Sequence, residues 1–157
     1  MTDRNRAWII TVPVIVLLGF GSGWLSNSGY GNVWFDSLAK PAFMPPGWAF
    51  PVAWTTLYVL MGIAVATVIA SDAPGKQPAL IVFAAQLLLN LSWSPVFFGL
   101  HQARAGLAII IVLTLLVAVA VLLFWRVRHV AAWLMLPYLA WLSFATALNF
   151  AIVQMNP

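Results

Sequence analysis

The sequence predicts an all-α fold: one integral membrane domain over residues 1–157, a bundle of five transmembrane helices. Two observations predict it. Hydrophobic residues make up 64% of the chain and charged residues only 6%, where soluble domains carry about 25% charged residues. Too few charges remain to build a water-facing surface. The apolar residues also fall into five stretches, each close to the roughly 20 residues that a helix needs to cross a bilayer.

The first stretch is Ala7 to about Leu25, "AWIITVPVIVLLGFGSGWL". Arg4 and Arg6 precede it. It is long enough to span and lacks a clear small-residue cleavage site, so it reads as a span rather than a cleaved leader. Gly19 and Gly23 form a small-xxx-small pair, which permits close helix contact within one chain or between two. A long connection follows, from about Ser26 to Gly47. Long loops in compact domains are often functional, and this one is expected to act as a lid. It ends in "KPAFMPPGWAFPVAW", Lys40 to Trp54, where prolines stiffen the chain and the second helix begins.

That second stretch runs from about Trp48 to Ala70, with Pro51 in its first turn, where a missing N–H is tolerated. "DAPGK" links it to the third, about Pro78 to Leu100. "HQAR" leads to the fourth, about Ala105 to Trp125, which has no charge. "RVRH" leads to the fifth, about Val130 to Val153. Such short links force neighbouring helices to run antiparallel. Pro13, Pro95 and Pro137 fall inside spans, where membrane helices accommodate them.

With five spans the two termini lie on opposite faces. Arg4, Arg6, Lys76, Arg126 and Arg128 share the N-terminal side, and Lys40 and Arg104 share the other. The excess of basic residues places the N-terminus in the cytoplasm. A bacterial membrane is expected rather than an organellar one, with inner or outer left open.

Polar groups at membrane depth are costly and each needs a reason. Gln86, Asn90, Trp93 and Phe97 step along one face of the third helix. Tyr138, Trp141, Ala145 and Asn149 do the same on the fifth. Trp54 and Tyr58 lie one turn apart on the second, Trp54 about 10 Å in from the long-loop side at 1.5 Å per residue. The three stripes can meet in one layer beneath the long connection. Two readings of that layer fit the spacing. Asn and Gln can simply hydrogen-bond a neighbouring helix, and Trp8, Trp24, Trp125 and Trp133 fit an interfacial belt. Alternatively, the deeper rings and amides line a pocket.

Several function classes lack the residues they require. The seven Lys/Arg are scattered and form no basic patch interleaved with aromatics, so no nucleic-acid partner is expected. Without cysteine there is no thiolate metal site or thiol nucleophile. His101 and His129 fall at opposite membrane faces and cannot share a metal ion, so no metal site is expected. Asp3, Asp36 and Asp72 lie outside the spans, which leaves no carboxylate relay across the bilayer. No internal repeat supports an inverted-repeat transporter.

Three blocks of residues resemble the TspO/MBR family, the tryptophan-rich sensory proteins and mitochondrial translocator proteins. They are "KPAFMPPGWAFPVAWTTLY" (40–58), "AQLLLNLSWSPVFFG" (85–99) and "PYLAWLSFATALNF" (137–150), in the family's order and spacing. The resemblance implies a five-helix bundle, commonly a homodimer in the lipid bilayer. It implies a pocket that takes porphyrins such as protoporphyrin IX and haem, and similar hydrophobic ligands. Family binding positions carry over to Trp54, Asn90, Trp93, Trp141, Ala145, Leu148 and Asn149, and Tyr58 and Phe97 join them on their stripes. A porphyrin or haem is expected as ligand, with no required cofactor.

Three activities remain open: a receptor or sensor in tetrapyrrole regulation, a light- and oxygen-dependent breakdown of protoporphyrin IX resting on Trp54 and Trp141, and transport of tetrapyrroles or sterols. The mitochondrial members end on a sterol motif with Tyr followed by a basic residue. Here Phe150 stands in the Tyr position and no basic residue follows, so tight sterol binding is not expected. Lys40 and Arg104 are expected on the pocket side, facing either lipid headgroups or the carboxylates of a ligand.

Overall fold

A computed structural model describes residues 6–157; Asp3 and Arg4 lie outside the described residues. Among the described residues six α-helices follow in order: α1 (Ala7–Leu25), α2 (Val33–Ser37), α3 (Ala49–Ile69), α4 (Lys76–Ser94), α5 (Ala103–Val127) and α6 (His129–Met155). Five of them are long and apolar enough to cross a membrane, α4 being extended to Gly99 by a π-helical turn. The protein is therefore an integral, multi-pass membrane protein, and the spans end within two residues of the sequence boundaries.

The helices close a ring. α1 packs on α3, α3 on α6, α6 on α5 and α5 on α4, while the seam of α4 with α1 is thinner. Lipid tails offer no hydrophobic incentive for helices to associate, so close packing and internal hydrogen bonds must hold the ring together. Gly62 shows the first device. A Cβ there would overlap the Val12 backbone, and Thr11 Oγ1 donates to the Gly62 carbonyl at 2.8 Å. Gly19 shows it again, since a Cβ would run into the Tyr58 ring. The small pair on α1 thus makes its contact within the chain at Gly19, whereas Gly23 faces Ser28. The core between α3, α4, α5 and α6 is filled by Met61, Val68, Leu113, Phe124, Met135 and Leu142, all buried.

The long connection is not structureless. Its five-residue helix α2 begins at Asn32, whose side-chain oxygen accepts from the Phe35 amide at 3.1 Å. Lys40 closes the other end, its ammonium donating to the carbonyls of Phe35 (2.7 Å), Leu38 (3.1 Å) and Asp36 (3.3 Å). Beside the headgroup or ligand carboxylate expected of it, the Lys40 ammonium has three backbone carbonyls at the end of α2 as partners. Phe35 then plugs a cluster with Phe97, Phe98 and Ile152 at the end of the bundle.

The three prolines expected inside spans do different things. Pro13 and Pro137 sit within continuous helices. Pro95 marks the change from α- to π-helix, consistent with its missing N–H. The wider turn Pro95–Gly99 turns Phe97 and Phe98 toward α2.

Candidate functional site

A cavity of about 590 Å³ lies beneath the long connection, within the roughly 300–1,000 Å³ typical of small-molecule pockets. Its floor and back are built by four helices. Trp54 and Tyr58 project from α3 with rings stacked at 5.3 Å. Asn90 and Trp93 come from α4, and Ile110, Leu113 and Leu142 close the back from α5 and α6. The site is apolar with few polar groups, the usual character of a ligand pocket.

Those polar groups form one directional chain. The Tyr58 hydroxyl donates to Asn90 Oδ1 at 3.1 Å. Asn90 Nδ2 donates to the Tyr138 oxygen at 2.7 Å. The Tyr138 hydroxyl donates to Gln86 Oε1 at 3.0 Å, and Gln86 Nε2 reaches Met61 Sδ at 3.6 Å. All four polar side chains are buried. In a bilayer, groups without water must be satisfied by one another, and this chain does so across α3, α4 and α6. Both readings of Asn90 therefore hold: it bonds neighbouring helices and borders the cavity. Gln86 bonds its neighbours but does not border the cavity.

The stripes of α3, α4 and α6 do meet in one layer. Trp54 contacts Trp141 (6.4 Å) and Tyr138 (6.3 Å) edge to face. Trp93 Nε1 donates to Asn149 Oδ1 at 3.2 Å. Of the nine expected site residues, however, only Trp54, Tyr58, Asn90 and Trp93 border the cavity. Phe97, 2% exposed, is drawn into the cluster under α2, and its neighbour Phe98 lines the cavity instead. Asn149 is buried behind Trp93, holding that indole on one side and the Ala103 carbonyl (3.0 Å) on the other. Leu148 is buried and Ala145 packs into the core. Trp141 stands behind Trp54 and borders an open apolar groove on the outer side of α3 and α6, with Ala53, Thr56 and Phe144. Its indole N–H is buried and has no hydrogen-bond partner among the described residues.

The cavity also has a wall that sequence reasoning missed. Phe20, Ser22, Gly23 and Trp24 of α1 line it, with Tyr30 and Phe50. The small residues of α1 carried the only signal, since side chains of that size leave room beside a helix. Trp24, expected only as a belt anchor, is both exposed and part of the wall.

The cavity is lined mostly by apolar and aromatic side chains. Neither histidine borders the cavity. His101 lies flat on Trp34 at 4.8 Å, and His129 lies on Trp125 at 4.4 Å, at the other end of the bundle. The residues thus offer stacking faces and a phenol–amide pair, and no imidazole to a central metal ion.

Comparison with known proteins agrees in extent. A sequence model described as the TspO/MBR family matches residues 10–155. Protein CrtK of Rhodobacter capsulatus is 41% identical over 128 residues, 80% of each chain. The tryptophan-rich protein TspO of Chlorobaculum tepidum is 42% identical over 126 residues, 79% of this chain and 80% of its own. The translocator protein of Sus scrofa is 37% identical over 158 residues, 95% of this chain and 91% of its own.

Proposed function

This chain belongs to the TspO/MBR family, and on that premise we propose that it is a membrane receptor for porphyrins and similar flat, hydrophobic ligands, acting in tetrapyrrole regulation. The observation that carries the reading is the cavity itself, where Trp54, Tyr58 and Trp93 offer ring faces around Asn90. Each stacked aromatic pair adds about 0.5–1.5 kcal/mol beyond burial. The name of the CrtK relative concerns that protein; the tetrapyrrole assignment here rests on the cavity and on the family resemblance. With no imidazole in the wall, free-base protoporphyrin IX suits the site as well as haem.

The reading is tested by titrating protoporphyrin IX into the protein in lipid nanodiscs and following tryptophan fluorescence. Saturable quenching is expected, and Trp54→Ala should weaken it about tenfold, the equivalent of ~1.4 kcal/mol. Quenching that never saturates would remove the receptor reading.

A second reading has an observation of its own. Trp54 borders the cavity and is in ring contact with Trp141, Tyr58 and Tyr138, a run of oxidisable side chains. In a light-driven reaction the excited porphyrin passes an electron to dioxygen, Trp54 refills the porphyrin, and Trp141 shares the resulting indole radical. The hole returns from the indoles to the porphyrin, whose radical cation combines with superoxide to form a carbon–oxygen bond, so that dioxygen is the oxidant and both tryptophans are regenerated. The double variant Trp54→Phe, Trp141→Phe keeps stacking faces but removes the indoles. Porphyrin loss under light at the wild-type rate in that variant would refute the photochemical reading.

We extend the proposal to a homodimer, as the family resemblance implies. The lipid-facing side of α1, with Ile10, Leu17 and Leu18 exposed, offers surface for it. Cross-linking in bilayers at increasing lipid-to-protein ratio checks this, a persistent dimer being expected.

A further inference from the structure

The wall of the cavity is closed on most sides and open on one. Its deep residues, Tyr58, Asn90, Ile110, Leu113 and Leu142, are buried. Its most exposed large rings are Trp24 at the end of α1 (84%) and Trp48 just before α3 (70%), ahead of Tyr30 of the connection (48%). Lower down, α1 and α3 are clamped by the Gly62–Val12 contact, the Thr11 hydrogen bond and the Gly19–Tyr58 contact. Beyond Gly19, α1 turns its polar contact to α4, with Ser22 Oγ donating to the Leu91 carbonyl at 2.7 Å. Among the described residues no hydrogen bond joins α1 to α3 above that point.

The connection over the bundle is fastened instead. Asn156 grips Ala39 at two points, accepting from its amide at 2.9 Å and donating to its carbonyl at 3.0 Å. Asn32 Nδ2 donates to the carbonyls of Asn27 (3.0 Å) and Phe98 (3.4 Å). Phe35 is plugged among Phe97, Phe98 and Ile152, and Trp34 is stacked on His101. Opening this route means breaking these contacts, while above Gly19 no hydrogen bond among the described residues has to break between α1 and α3.

We infer that the cavity is filled sideways from the bilayer, between the C-terminal end of α1 and the N-terminal end of α3, and not from water across the connection. The mouth lies at the helix ends, the depth at which indoles settle in a membrane. It selects molecules already dissolved there: amphiphiles with a flat apolar body that passes between Trp24 and Trp48 and polar groups that stay at the interface. The inference takes from the proposed function only that the cavity receives a ligand, and its test uses no porphyrin.

The chain contains no cysteine, so Ser94→Cys places a single thiol in the cavity wall. Labelling is followed in liposomes with a lipid-soluble maleimide and a charged, water-soluble maleimide, each rate normalised to its reaction with a free thiol. The lipid-soluble reagent should react at least about tenfold faster, and Pro51→Trp, which fills the rim at the N-terminal end of α3, should slow it about tenfold. Asn156→Ala, which releases the clasp, should leave the rate within about twofold. The inference is overturned if the charged reagent keeps pace, if Pro51→Trp changes nothing, or if Asn156→Ala accelerates labelling about tenfold. Failure of protoporphyrin IX to quench tryptophan fluorescence would remove the porphyrin reading and leave this result standing.

Discussion

At the residue scale, the site depends on a few side chains whose polar atoms are fully committed. Tyr138 is the central one: it accepts from Asn90 and donates to Gln86 while 1% exposed. Tyr138→Phe leaves an amide donor and an amide acceptor unpaired in a dry interior. Interhelical hydrogen bonds in membranes are worth about 0.6–2 kcal/mol, so a loss of ~1–2 kcal/mol in a reversible unfolding titration is expected. Gly19 acts through space rather than bonding. Gly19→Ala drives a methyl into the Tyr58 ring, and overpacking of this kind costs about 1–3 kcal/mol. Because Tyr58 carries the first bond of the polar chain, the same variant should weaken ligand binding as well as lower the melting temperature. A variant that melts like wild type would show that α1 can back away from α3 at no cost.

At the element scale, α2 is too short to be stable alone. Asn32 caps one end, the Lys40 ammonium caps the other, and Phe35 anchors it to the bundle. Lys40→Met keeps the stem and removes the three carbonyl contacts. Amide hydrogen exchange across residues 33–38 should quicken about tenfold, from the loss of charge-assisted bonds worth about 1.5–3 kcal/mol. Exchange in the spans should not change. Equal exchange in variant and wild type would mean that Phe35 alone holds α2. The π-turn at Pro95 is the other element with a positional role. It divides two adjacent phenylalanines, Phe97 under α2 and Phe98 in the cavity wall. Helical spacing on α4 placed Phe97 on the Trp93 stripe, and the two rings do stack at 4.9 Å, but Phe97 packs into the cluster under α2 and does not border the cavity.

At the scale of the whole molecule, the spans were legible because five apolar runs of membrane length leave little alternative. The convergence of α3, α4 and α6 was legible from the steps of Gln86–Asn90–Trp93 and Tyr138–Trp141, since polar residues in a bilayer must find one another. What escaped was whatever depends on how helices lean. Five neighbouring residues such as Val33–Ser37 carry no helical period strong enough to read. Trp141 lies on the expected stripe, yet a modest rotation puts it behind Trp54 rather than in the cavity. Asn149 has the right depth but serves as a support for Trp93. The contribution of α1 is the clearest case, because a wall made from Gly, Ser and the backs of rings looks in sequence like a packing stripe. Phe150 is exposed on the outer surface, without the basic neighbour that the sterol motif needs. Cholesterol should accordingly show no saturable site, which binding of a photoreactive sterol in bilayers would reveal.

The central claim is that porphyrin occupies the space between Trp54, Tyr58, Asn90 and Trp93. The most direct measurement is a structure of the protein in lipid with protoporphyrin IX. The account predicts a flat ligand stacked on Trp54 inside the cavity, with the Tyr58–Asn90–Tyr138 chain intact. A porphyrin found instead in the outer groove beside Trp141 and Phe144, with the cavity left to lipid or water, would contradict it.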